Sequence, residues 1–158
     1  MTRSLPRPFL GGVGLGAAGT LAWWYWLVLA IALILDLAGV PHALRFAVAL
    51  AWVQVAHFRI REGTWAAFPV QVRGAYAVIL SLGLIPWLHG IVWVPAIGTP
   101  AQVLIGYCAL ARLMSLLPWN RRHPLSADLI WRTFTSPPRA GNILQGQEAP
   151  RLGLSPRS

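Results

Sequence analysis

Residues Gly106 to Pro124 read GYCALARLMSLLPWNRRHP. Within these residues an apolar segment takes up Arg112, reaches Pro118-Trp119-Asn120 and becomes the basic run Arg121-Arg122-His123. An indole at such a border keeps its ring in an apolar phase and its N–H in a wet one, and neighbouring arginines hold a segment on the cytoplasmic side of a membrane. The stretch therefore reads as a membrane exit, and it sets the fold class: an all-α, polytopic membrane protein with about four transmembrane helices and a short cytoplasmic interfacial helix.

The composition agrees. Of 158 residues, 56% are hydrophobic and only 11% charged, too few for the surface of a soluble domain. The net charge of +9 comes from arginine alone, since the chain has no lysine, and the arginines sit between and after apolar runs rather than along one polar face. That distribution argues against a nucleic-acid partner. A single cysteine, Cys108, excludes an internal disulfide and a multi-cysteine zinc site.

Upstream of the exit, apolar runs alternate with short connections. Residues 1–20 form a cytoplasmic head with Arg3 and Arg7, and Gly12 and Gly16 give it a G-x-x-x-G spacing. Its apolar character continues through Trp23-Trp24-Tyr25-Trp26 without a small-residue cleavage site, so the first span, about 21–40, is expected to stay uncleaved. Gly39-Val40-Pro41-His42 breaks it. The second span is expected at about 43–58, followed by a charged turn at Arg59-Ile60-Arg61-Glu62-Gly63. The third is expected at about 74–94, kinked at Pro86, and the fourth at about 101–117, with Pro95 to Pro100 as an uncharged turn between them. Together these make a transmembrane domain over residues 21–118. Residues 119–138 read as a basic interfacial segment in which Ser126 caps a short helix to about Phe134, with Asp128 and Arg132 four apart. Residues 139–158 read as a flexible tail.

The arginines fall on alternate connections, which places both termini and the middle loop on the cytoplasmic side of a bacterial inner membrane. Arg59, Arg61, Arg73, Arg112, Arg121 and Arg122 then converge on one boundary with Trp119, a pattern suited to anionic lipid headgroups or to a partner subunit. Arg112 is expected to reach that boundary by snorkelling.

Few groups carry chemistry. Asp36 and Arg45 lie at similar distances from the Pro41 turn, so a helical hairpin would let them form a buried ion pair. His42 and His89, with Trp87 and Trp93, lie toward the outer side and form a candidate ligand-binding set. Without a further carboxylate or thiolate they make a weak metal site, and none is assigned. No phosphate-cradling glycine loop, metalloprotease helix or nucleophile motif occurs, and no catalytic residue or cofactor is assigned. The leading expectation is a noncatalytic membrane scaffold or accessory subunit. Its expected partners are anionic lipid and another membrane protein or a second copy of itself. The alternatives are a haem- or quinone-binding membrane protein built on His42 and His89, and a small proton-coupled transporter built on Asp36.

Overall fold

The computed structural model describes residues 14–138 and 142–146. The rest of the head, with Arg3, Arg7 and Gly12, and most of the expected flexible tail lie outside the described residues. Among the described residues there are six α-helices: α1 Leu21–Leu37, α2 Ala43–Glu62, α3 Phe68–Leu82, α4 Trp93–Ile105, α5 Ala109–Ser115 and α6 Ala127–Thr135. Short 3-10 segments occupy Gly14–Ala17, Pro86–Val92 and Ile143–Gly146, and no strand occurs among the described residues. Two continuous helical stretches, Ala43–Glu62 and Pro86–Ile105, are long and apolar enough to cross a membrane, while Leu21–Leu37 and Phe68–Leu82 are shorter apolar helices.

Local chemistry sets the boundaries. Thr20 opens α1, its hydroxyl accepting from the Trp23 amide at 3.3 Å. The helix stops at Leu37, three residues before the expected limit, because Gly39 takes a left-handed φ of 83° and turns the chain. α2 runs four residues beyond its expected end. Arg59, Ile60, Arg61 and Glu62, expected as a charged turn, are its last turn instead, with two arginines near the negative end of the helix dipole. Gly63, at φ 73°, then closes it with its N–H on the Arg59 carbonyl.

The third and fourth helices are placed differently from the expected 74–94 and 101–117. α3 begins at Phe68 and ends at Leu82, before Pro86 is reached. A residue that precedes proline is pushed out of the α region, and Ile85 is extended, with φ −81° and ψ 121°. Pro86 therefore starts a new helical stretch instead of kinking the old one. The expected turn Pro95 to Pro100 lies within α4. Pro95 is its third residue, where the missing N–H has no intrahelical acceptor to lose, and only Pro100 interrupts the ladder. α4 ends where Gly106 turns left-handed at φ 73°, so residues 101–117 form two short pieces rather than one span.

The four longer helices form one bundle. α1 packs between α2 and α4, and α3 lies on the other side of α2. Leu29 and Leu33 of α1, Ala47 and Ala51 of α2, and Ala77 and Leu80 of α3 make the core with Val92, and the alanines let the helix backbones approach closely. The Trp26 and Tyr76 rings meet edge to face at 5.0 Å. Tyr76 also closes the bundle, its hydroxyl lying 2.7 Å from Thr99 Oγ1, which itself donates to the Pro95 carbonyl at 2.6 Å. A hydroxyl has one proton, so Tyr76 is the donor to Thr99. Tyr76→Phe is expected to cost about 1 kcal/mol, the net worth of one such bond, read from the denaturant unfolding midpoint. An unchanged midpoint would remove Tyr76 from the contacts that join α3 to α4.

Candidate functional site: the arginine end of the bundle

The end of α2, the start of α3 and the turn after α5 meet at one end of the bundle. There Tyr25 of α1 lies 3.2 Å from His57 Nδ1 of α2, and the Trp23 indole donates to the Val103 carbonyl of α4 at 3.0 Å. Gln71 of α3 accepts at one oxygen from both the Trp119 indole, at 3.0 Å, and the Asn120 amide, at 2.9 Å. The segment after α5 is thus tied to α3, and the sequence-expected interface residues are gathered at one end.

Their orientations differ. Arg61 and Trp119 are exposed, Arg59 and Arg121 are partly exposed, and Arg122 is exposed. Arg59 stacks over the Trp65 ring at 5.4 Å and Arg61 over Phe58 at 5.6 Å. Arg73, expected at the surface with the others, is buried: its guanidinium lies 3.4 Å from the centre of the Phe58 ring and donates to the Pro69 carbonyl at 3.0 Å. Two guanidinium groups thus share the Phe58 ring. Glu62 lies 3.8 Å from Arg61, and Asp128 of the segment after α5 pairs with Arg132. Arg59, Arg73, Arg112, Arg121 and Arg122 have no carboxylate of the described residues within ion-pair reach, so this end carries an excess of positive charge.

Arg112 is the other departure, since it is 1% exposed and does not snorkel. Its guanidinium donates to the Thr133 carbonyl, to Ser136 Oγ at 2.9 Å and to the Ser136 carbonyl at 2.8 Å. Those acceptors stand at the C-terminal end of α6, where unpaired carbonyls and the helix dipole both favour a cation. The Tyr107 ring covers the guanidinium at 4.2 Å, and its hydroxyl donates to the Phe134 carbonyl at 3.1 Å. α6 itself forms where expected, with Ser126 Oγ accepting from the Leu129 amide at 3.1 Å and Asp128 paired with Arg132 at 2.9 Å. Yet the face it turns inward is Leu129 and Thr133, leaving Trp131 exposed. Farther on, Asn142 donates to the Asn120 carbonyl and the Ile143 amide to Ser115 Oγ. Part of the expected flexible tail is therefore seated on α5. Ser126→Ala is expected to cost about 1 kcal/mol, seen as faster hydrogen exchange in α6; equal exchange rates would mean the cap contributes nothing there.

At the opposite end the expected Asp36–Arg45 pair is not formed. Asp36 Oδ2 lies 3.4 Å from His89 Nε2 without the alignment of a hydrogen bond, and His89 Nδ1 is 3.2 Å from the Gly83 carbonyl. Arg45 instead meets His42 Nδ1 at 3.2 Å. The hairpin places Asp36 and Arg45 near one turn, but the 3-10 segment after α3 brings His89 to Asp36, and His42, at φ 68°, opens α2 beside Arg45. His42 and His89 therefore have separate partners, and Trp87 and Trp93 are exposed. No cluster of three or more metal-ligating side chains occurs among the described residues. Sequence reasoning passed over Gln71, Tyr107, Thr133 and Ser136, which hold the arginine end together. All four bond across the fold, and no local spacing in the sequence announced them.

A cavity of about 270 Å³ opens on one side of the bundle between α3, α4 and α5, with Phe134 of α6 at its edge. No family model matches the chain, and neither does any curated protein or solved structure.

Proposed function

We propose that the chain is a noncatalytic, four-span protein of a bacterial inner membrane, with the arginine end on the cytoplasmic face, that serves as a scaffold or accessory subunit on anionic lipid and a larger membrane complex. The observation that carries this reading is the outward face of the bundle. Ile31 and Ile34 of α1, Phe46 and Val53 of α2, Val78 of α3 and Ile97 of α4 are all exposed. Single exposed apolar residues are ordinary, but apolar side chains around the outside of four helices need an apolar surrounding. The spans, redrawn on the helices, are then α1, α2, α3 and the continuous stretch Pro86–Ile105.

The polar ends support the same arrangement. Backbone groups inside a bilayer have no water to bond with, and a helix satisfies its own, here interrupted in mid-helix only at Pro100 of α4. The uncompensated arginines are concentrated at one end, with Arg45 beside His42 at the other, and a negative membrane surface attracts each by about 1 kcal/mol. Two of them, Arg73 and Arg112, hold the architecture, which leaves Arg59, Arg121 and Arg122, with the Glu62-paired Arg61 and Trp119 beside them, for lipid or partner contact.

Fractionation after cell disruption tests the membrane reading, and the chain is expected in the pellet, resistant to alkaline carbonate; recovery in the supernatant would overturn it. Purification in mild detergent tests the accessory role. There the chain is expected to bring a membrane partner with it, whereas a solitary protein that turns over a substrate contradicts the proposal.

A further inference from the structure

We propose that the groove between α3, α4 and α5 holds one acyl chain of an anionic membrane lipid, with the lipid headgroup on the arginine end. This rests on the reading of the bundle as membrane-embedded. The groove's wall is almost wholly apolar. Its two hydroxyls offer no free proton, because Thr99 donates to the Pro95 carbonyl and Tyr76 donates to Thr99. Gln102 adds one amide, its Oε1 buried without a partner, and the rest of the wall offers a polar ligand little, whereas a hydrocarbon chain can fill it without breaking the bonds of the two hydroxyls.

Size and position narrow the occupant. About 270 Å³ is below the range of roughly 300–1,000 Å³ typical of drug-sized ligands, so the space suits a single chain. Val94 and Leu113, which line the groove, are themselves exposed on the side of the bundle, so the groove opens laterally, toward lipid. Its other end is formed by Cys108, at the start of α5, and by Phe134, whose carbonyl is held by Tyr107. That end adjoins Arg112 and Arg73, whose charges act on Cys108, at the arginine end of the bundle, and the positive charge there complements a phosphate headgroup. Gly98 forms part of the wall, and a methyl group added there would meet nothing within 4 Å. A larger side chain at this position can enter the groove without displacing the backbone.

The test uses the full chain reconstituted in vesicles, with phosphatidylglycerol or phosphatidylcholine carrying a photoreactive group in the acyl chain and the crosslinks mapped by mass spectrometry. Wild type and Gly98→Ala are expected to be labelled on groove residues such as Leu110 and Leu113. Phosphatidylglycerol should label them about fivefold more than phosphatidylcholine, the order of one arginine's attraction to an anionic surface. Gly98→Leu should remove most groove labelling while outward residues such as Phe46 and Ile97 keep theirs. Groove labelling that is indifferent to Gly98→Leu overturns the proposal, as does equal labelling by the two lipids. Loss of labelling at higher protein density with appearance of a dimer would put a second copy in the groove and overturn the proposal too. Failure of the chain to float with the vesicles would instead overturn the membrane reading itself, which separates the two.

Discussion

Arg112→Met is expected to release α6 from the bundle, at a cost of about 3–6 kcal/mol, the worth of two hydrogen bonds to a charged group. Methionine keeps most of the apolar stem but none of the donors. The Thr133 carbonyl, Ser136 Oγ and the Ser136 carbonyl each lose the guanidinium. Hydrogen bonds to charged groups are worth about 1.5–3 kcal/mol apiece, and a buried acceptor left alone carries its desolvation cost as well. The loss should be local. Amides of Ala127–Thr135 are expected to exchange at near-unprotected rates while those of α1 to α3 keep their protection. Arg112→Lys should restore little, because a single ammonium cannot present the planar fork that reaches residues 133 and 136 together. Unchanged protection of α6 in Arg112→Met would show that Leu129 and Thr133 packing alone holds it.

Gly83→Ala should destabilise the bundle by about 1–3 kcal/mol, through overpacking rather than backbone strain. Gly83 has φ −64°, which any residue adopts. A methyl group there would stand 2.5 Å from Val92 Cγ2 and 3.2 Å from the Leu80 carbonyl. Val92 is fully buried and β-branched, so it has little freedom to turn away. Val92→Ala makes room, and the double variant is expected to be more stable than the sum of the two single losses by more than about 0.5 kcal/mol, the limit of ordinary additivity. Denaturant titration of the four proteins measures this. Simple additivity would mean that the chain between α3 and α4 shifts to accept the methyl group.

Much of the helical layout was legible because its signals are local. Gly39 and Pro41 mark the first turn, and Ser126, Asp128 and Arg132 mark α6 with its cap and its ion pair. Proline misled where its effect depends on position. Pro86 has the same chemistry in mid-helix or at a helix start, and only the extended Ile85 decides which. Pro95, Gly98 and Pro100 together resemble a turn, yet the first falls in the opening turn of α4, where it is harmless. The site was legible as a set of residues but not as an arrangement. Arginines near a helix end suggest a surface, and burial of Arg73 and Arg112 depends on Phe58, Thr133 and Ser136, whose approach no local pattern announces. Asp36 likewise met His89, far along the chain, instead of the arginine just across its own turn.

The Arg112 clamp also imposes an order on biogenesis. A ribosome makes α5 before α6, so while the last residues are still being added the guanidinium has none of its acceptors at residues 133 and 136. Until then it behaves as an ordinary charge that remains in water. Only the arrival of α6 lets the charge be drawn inside, so α6 acts as a latch that closes on the helices made before it.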